Sequence, residues 1–190
     1  MVKLTQKAIM QTFMNILQKK SLDKITVKDI IETTGINRNT FYYYYDDIYD
    51  LIDAIFKEET RKVLAEETEN CTFYEEYVRA ASIVTENKQA IIHIYNSKSK
   101  DILYNYLEQV TLFCVRKFVT SAAEKYNLSQ DGVEYITFFY SSAIIGSTMY
   151  WVKNGMESYP EKILKQIASS FEATIDDMIK DFVKSENKQI

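Results

Sequence analysis

Apolar residues in the first twenty positions recur at Ala8, Ile9, Phe13, Ile16 and Leu17, the three- and four-residue spacing of one helix face. That spacing predicts a packing helix over about 5–19. A turn follows over 21–26. Thr26, with Asp29 three residues on, has the form of a capping box opening a second helix over about 27–34. Gly35 closes it, because glycine most readily takes the left-handed conformation of a sharp helix exit. Asn37 can cap a third, short helix, so the order is helix, Gly-containing turn, short helix: a helix-turn-helix. From about Asp47 a longer helix places Ile48, Leu51, Ile52, Ile55 and Phe56 on one side and fades in the acidic stretch 66–70. Further helices are expected over about 73–86, 88–96, 100–126, 130–154 and 160–184, with breaks at 127–129 and 155–160.

Within the helix-turn-helix, Val27, Ile30, Ile31, Ile36, Phe41 and Tyr44 fall where two short crossed helices must bury apolar surface against the first. Arg38, Asn39, Tyr42 and Tyr43 are left pointing outward. A helix fits the DNA major groove, where Arg pairs with guanine and Asn with adenine. Near the other end, residues 135–152 carry no charge and are long enough to be tested as a membrane span. Five Ser/Thr, Gly146 and three Tyr in that stretch argue against a span and for a helix buried on all sides, partly by another subunit. The last helix repeats Ile163, Leu164, Ile167, Phe171, Ile175, Met178 and Phe182 as a packing seam. Ile144, Tyr150, Trp151, Ile167, Phe171 and Ile175 are the expected dimer contacts.

Composition sharpens this picture. With 4 Gly and 1 Pro in 190 residues, a turn-rich β fold is excluded. The net charge of −4 hides an asymmetry: residues 1–45 carry seven Lys/Arg and three Asp/Glu, a net of +4, and the remainder carries a net of −8. A basic end on an acidic body suits a DNA-binding head, since phosphate contacts supply most nonspecific affinity. Cys71 and Cys114 stand far apart with no Cys/His cluster, so neither a disulfide framework nor a metal site is indicated, and a reducing, cytoplasmic location is expected. His93 is the only histidine, and no phosphate loop or nucleophile elbow is present. An enzyme is therefore not expected, and no cofactor is implied.

The ordered elements Ile25-Thr26-Val27, Ile30, Gly35-Ile36, Thr40-Phe41-Tyr42-Tyr43 and Leu51 resemble the signature of tetracycline-repressor-like (TetR) regulators. The resemblance implies an all-α fold with a helix-turn-helix DNA-binding domain at 1–47 and a helical effector-binding and dimerisation domain at 48–190. It implies phosphate contacts from Thr26, Lys28, Thr40 and Tyr42, and base contacts from Arg38, Asn39 and Tyr43. It also implies a homodimer on a palindromic double-stranded operator, repression relieved by an effector, and pairing of the last two helices with their copies. Two positions depart from the pattern: Ile31 stands where Ala is commoner, and Asp46-Asp47-Ile48 where a basic stretch often touches the DNA backbone. An aromatic middle of His93, Tyr95, Tyr104, Tyr106, Phe113, Cys114 and Phe118 falls where the family usually holds a ligand cavity; it is either ordinary core packing or the effector site, with His93, Tyr95, Tyr104, Phe113 and Cys114 as the effector contacts. The segment His93-Ile-Tyr-Asn-Ser97 with Leu103 and Tyr106-Leu107 is similar to a subtype that includes dihydroxyacetone kinase regulators, some of which answer to a protein coactivator. The effector is then a small molecule or a protein. A helical protein-interaction adaptor is the competing function, and it has no need of a basic head.

Overall fold

The computed structural model describes residues 2–65, 71–157 and 160–186, and every regular element among them is helical. In chain order these are α1 (Val2–Leu17), α2 (Val27–Thr34), α3 (Arg38–Tyr44), α4 (Ile48–Ala65), α5 (Phe73–Ala80), α6 (Ser82–Glu86), α7 (Lys88–Tyr95), α8 (Lys100–Tyr126), α9 (Gln130–Lys153) and α10 (Pro160–Glu186). A 3-10 turn, Leu22–Lys24, joins α1 to α2. The stretch 66–70, where the pattern of α4 fades, lies outside the described residues.

The chain forms two compact units, one of residues up to Lys62 together with Ile83–Tyr106, the other of Val63–Ser82 and the chain from Leu107 onward. In the first, α1 presents Ile9, Phe13 and Leu17 at four-residue intervals, all fully buried along with Leu22, Ile30 of α2 and Phe41 of α3. Ala8, expected on this face, is exposed, and Ile16 is half-buried. The buried line is thus narrower than the apolar spacing suggests. All five apolar residues foreseen on α4 are buried, and Phe56 stacks on Tyr106 with ring centroids 4.7 Å apart. Ala90, Ile91 and Ile94 of α7 are fully buried as well.

The second unit has one apolar core, built from α5, α8, α9 and α10, in which Phe171 lies between Phe73 (4.0 Å) and Tyr140 (4.9 Å). Thr72 opens α5 with a reciprocal cap to Glu75. Gly132 admits the start of α9 to its neighbours, since a Cβ there would sit 2.5 Å from Leu128 Cδ1. The single helix expected over 73–86 is two, α5 and α6, separated at Ala81. No helix-breaking residue marks that point; the chain passes from one unit to the other there.

Candidate DNA interface

Two caps set the recognition helix. The Thr26 hydroxyl accepts from the Asp29 amide (3.3 Å), while Asp29 Oδ2 accepts from the Thr26 amide and hydroxyl and from Lys20 Nζ, each at 2.8 Å. Lys20 and the two Thr26 donors hold the Asp29 carboxyl down at about 2, against the small opposing effect of burial. The cap is therefore at full strength above ordinary carboxylate pH and is lost only as pH falls through about 2. Gly35 ends α2 at φ 71°, a conformation a side chain would strain. Asn37 then opens α3, its Oδ1 accepting from the Thr40 amide (2.8 Å) and hydroxyl (3.0 Å).

This brings the sequence-predicted residues to one surface. Phe41 anchors α3 with no exposure, while Arg38, Asn39, Tyr42 and Tyr43 all face out, Tyr43 at 76% and Tyr42 at 43%. Arg38 folds back over Tyr42, its Nη2 donating to the phenol oxygen (3.3 Å) with the guanidinium 5.4 Å from the ring centre. Lys28 at the start of α2 is exposed and only loosely paired, 3.6 Å from Glu32. Such a surface pair is worth little and releases Lys28 readily to a phosphate. Thr26 is exposed and Thr40 half-buried, and both hydroxyls are held by the caps.

Two features of this region are not evident from the sequence pattern. Tyr45, not Tyr44, is the second buried aromatic of the run; it packs against Phe41 at 5.8 Å, and burial pushes its phenol up to about 12. A signal for it exists, because Tyr45 stands four residues from Phe41. Val27, Ile31, Ile36 and Tyr44 are only half-buried. The acids that depart from the family pattern bond locally. Asp47 Oδ1 accepts from the Tyr49 (2.7 Å) and Asp50 (2.8 Å) amides, and Asp50 Oδ2 from the Asp46 amide (3.1 Å). Asp47 thereby satisfies two of the amides that open α4, those of Tyr49 and Asp50.

The family model described as "Bacterial regulatory proteins, tetR family" matches residues 9–55, and the one described as "Transcriptional regulator C-terminal region" matches residues 72–173, more than half of the chain. The chain belongs to the TetR family of transcriptional regulators. These are models of regulators, not of enzymes. Among relatives, the HTH-type dhaKLM operon transcriptional activator DhaS of Lactococcus lactis is 27% identical over 85 residues, 45% of this chain and 46% of that protein. The matched region thus spans about half the length of that relative. Among solved structures, a dihydroxyacetone kinase operon activator DhaS superposes with a TM-score of 0.77 at 22% identity, covering 91% of this chain and 97% of that one. A TetR-family regulator from Syntrophomonas wolfei gives 0.66 at 16%, covering 93% and 97%. One from Streptococcus agalactiae gives 0.58 at 19%, covering 89% and 94%. At these identities the structural likeness establishes the fold.

In this TetR-family chain the residues expected at a dimer interface divide into two sets. Ile144, Trp151, Phe171 and Ile175 are buried within the subunit, and Ile167 is half-buried; only Tyr150, 70% exposed, stands free. The outward face of α9 carries other residues: Tyr135, Phe138 (65% exposed), Phe139, Ser142, Ala143, Gly146, Ser147 and Tyr150, a stripe with no charge. Small residues at 142–147 and Ile163 and Ile167 of α10 border an open groove of about 740 Å³. Packing inside the subunit takes up Ile144, Trp151, Phe171 and Ile175 and leaves Tyr135, Phe138, Phe139 and Tyr150 outside, a division that periodicity alone cannot foresee.

The expected effector contacts fall in both units: His93, Tyr95 and Tyr104 in the first, Phe113 and Cys114 in the second. Tyr104 is exposed, Tyr95 and Phe113 half-buried. The His93 ring is hydrogen-bonded to the Leu17 carbonyl. Cys114 is fully buried, and burial followed by the charge of Glu76 pushes its thiol up to about 12, so it carries no nucleophilic thiolate at neutral pH. Among the described residues no helix is long and apolar enough to cross a membrane, and no group of side chains could hold a metal ion.

Proposed function

We propose that the chain is a cytoplasmic regulator that binds a palindromic double-stranded operator as a homodimer and represses transcription until an effector releases it. The observation that carries this reading is α3 itself: one side fixed by the buried Phe41, the other presenting Arg38, Asn39, Tyr42 and Tyr43 beside Lys28. Arg38, Asn39 and Tyr43 read bases; Lys28, Thr26, Thr40 and Tyr42 contact phosphates. The reading residues lie within 1–47, and 48–190 carries dimerisation and effector response.

The uncharged stripe on α9 supports the dimer, because an apolar surface of this extent on a DNA-binding chain is best covered by its own copy. Phe138→Asp should convert the dimer to a folded monomer with unchanged helicity, as sedimentation and circular dichroism would show; a Phe138→Asp protein that stays dimeric at micromolar concentration excludes this face. Selection from random duplexes should return inverted half-sites about 34–36 Å apart. Asymmetric or featureless selected sequences would contradict the proposal.

The likeness to a protein named as an operon activator favours a second reading, in which operator binding raises transcription. Run-off transcription from the selected site separates the two by the sign of the change. In either case an effector, small molecule or protein, shifts operator affinity only by binding the DNA-competent and incompetent states unequally.

A further inference from the structure

His93 Nδ1 lies 2.6 Å from the carbonyl oxygen of Leu17, the last residue of α1. A carbonyl only accepts, so Nδ1 carries the proton. The final carbonyls of a helix have no donor within it, and the amides that follow α1 bond to Met14 and Ile16. His93, 76 residues further along the chain, thus caps the end of α1. A second tie lies beside it: Gln18 Nε2 donates to Asn87 Oδ1 (3.1 Å), and Asn87 Nδ2 donates to the Ile83 carbonyl (3.0 Å). The α7 helix that carries His93 is itself immobilised by Ala90, Ile91 and Ile94, all fully buried.

We propose that His93 is a positioning residue for DNA reading, and that α7 is a working part of the reading unit and not of an effector site. The α1 helix buries Ile9, Phe13 and Leu17 and packs against α2, which packs in turn against α3; Ile30 of α2 and Phe41 of α3 are fully buried too. A change in the direction of α1 therefore reaches α3 through close-packed side chains, which transmit small shifts because interiors have little free volume. His93 fixes that direction at the helix end, where a donor also meets the negative end of the helix dipole. The proposal rests on the reading of α3 as the DNA-contacting helix.

The test uses the full chain and two duplexes, one selected by the wild-type protein and one unrelated. His93→Phe keeps the ring's bulk and removes the donor. It should weaken binding to the selected duplex about three- to tenfold, the worth of one net hydrogen bond, and to the unrelated duplex less than about twofold. His93→Asn, whose amide places a donor near the Nδ1 position, should restore most of the loss. Gln18→Ala, at a half-exposed site that leaves the core untouched, should give a smaller loss of the same kind and serves if His93→Phe does not fold. Equal binding of the wild type and these variants to the selected duplex, or equal losses on both duplexes, overturns the proposal. Arg38→Ala is measured alongside: if it also leaves preference intact, the reading of α3 is at fault; if it alone abolishes preference, only the role of His93 is.

Discussion

Phe171→Ala should destabilise the folded chain by about 3–5 kcal/mol, the range for removing a large aromatic from a close-packed core. Phe171 is 3% exposed and sits between Phe73 and Tyr140, so truncation leaves a cavity that two rings and three helices border and cannot readily collapse into. The effect should appear as a lower denaturant midpoint with an unchanged slope. On a dimer seam the same substitution would instead raise the dissociation constant and leave the stability of the subunit nearly unchanged. Urea titration and sedimentation on one preparation distinguish the two, and a pure shift in dissociation would show that the core assignment of Phe171 is wrong.

Glu76→Ala should cost a comparable amount, about 3–5 kcal/mol, because it removes one partner from a buried ion pair. The Glu76 side chain has no exposure; its carboxylate accepts from Arg79 Nη2 at 2.7 Å and from the Cys71 thiol at 3.6 Å, with Lys117 Nζ at 3.9 Å. Arg79 also donates to the Val63 carbonyl, so the pair ties the end of α4 to α5. Glu76→Gln keeps the shape and acceptor oxygen and should lose less. Lys117→Ala, at a partly exposed and more distant partner, should cost under about 1 kcal/mol. Thermal melts that order the three variants differently would remove the ion pair from the stability of this unit.

The difference between what is legible in the sequence and what is not follows the range of the interactions. Local chemistry is readable: Thr26 with Asp29, Gly35 and Asn37 each act within four residues, and α2 begins and ends, and α3 begins, where those residues place them. Repeating apolar positions likewise locate α4 and α10, and the breaks near 127–129 and 155–160 bound α8 and α9. Long-range pairing is not readable. Glu76, a charged residue within the helix expected over 73–86, is buried where Arg79 and Lys117 meet it, and Lys117 belongs to another helix. His93, expected among the effector contacts as part of an aromatic cluster, is hydrogen-bonded to a carbonyl 76 positions away. Ile144 and Phe171 look available for a partner because periodicity shows that a residue faces something without showing what.

The central claim, that α3 reads DNA bases, is tested most directly by the affinity of Arg38→Ala and Lys28→Ala for the selected and unrelated duplexes over a range of salt. Arg38→Ala should cost about 1–3 kcal/mol on the selected duplex and relax preference at the base pair it contacts. Lys28→Ala should weaken both duplexes alike and reduce the salt slope by about 1. Unchanged affinity and preference in Arg38→Ala would show that the exposed face of α3 does not enter the groove, and the assignment of this helix would have to be withdrawn.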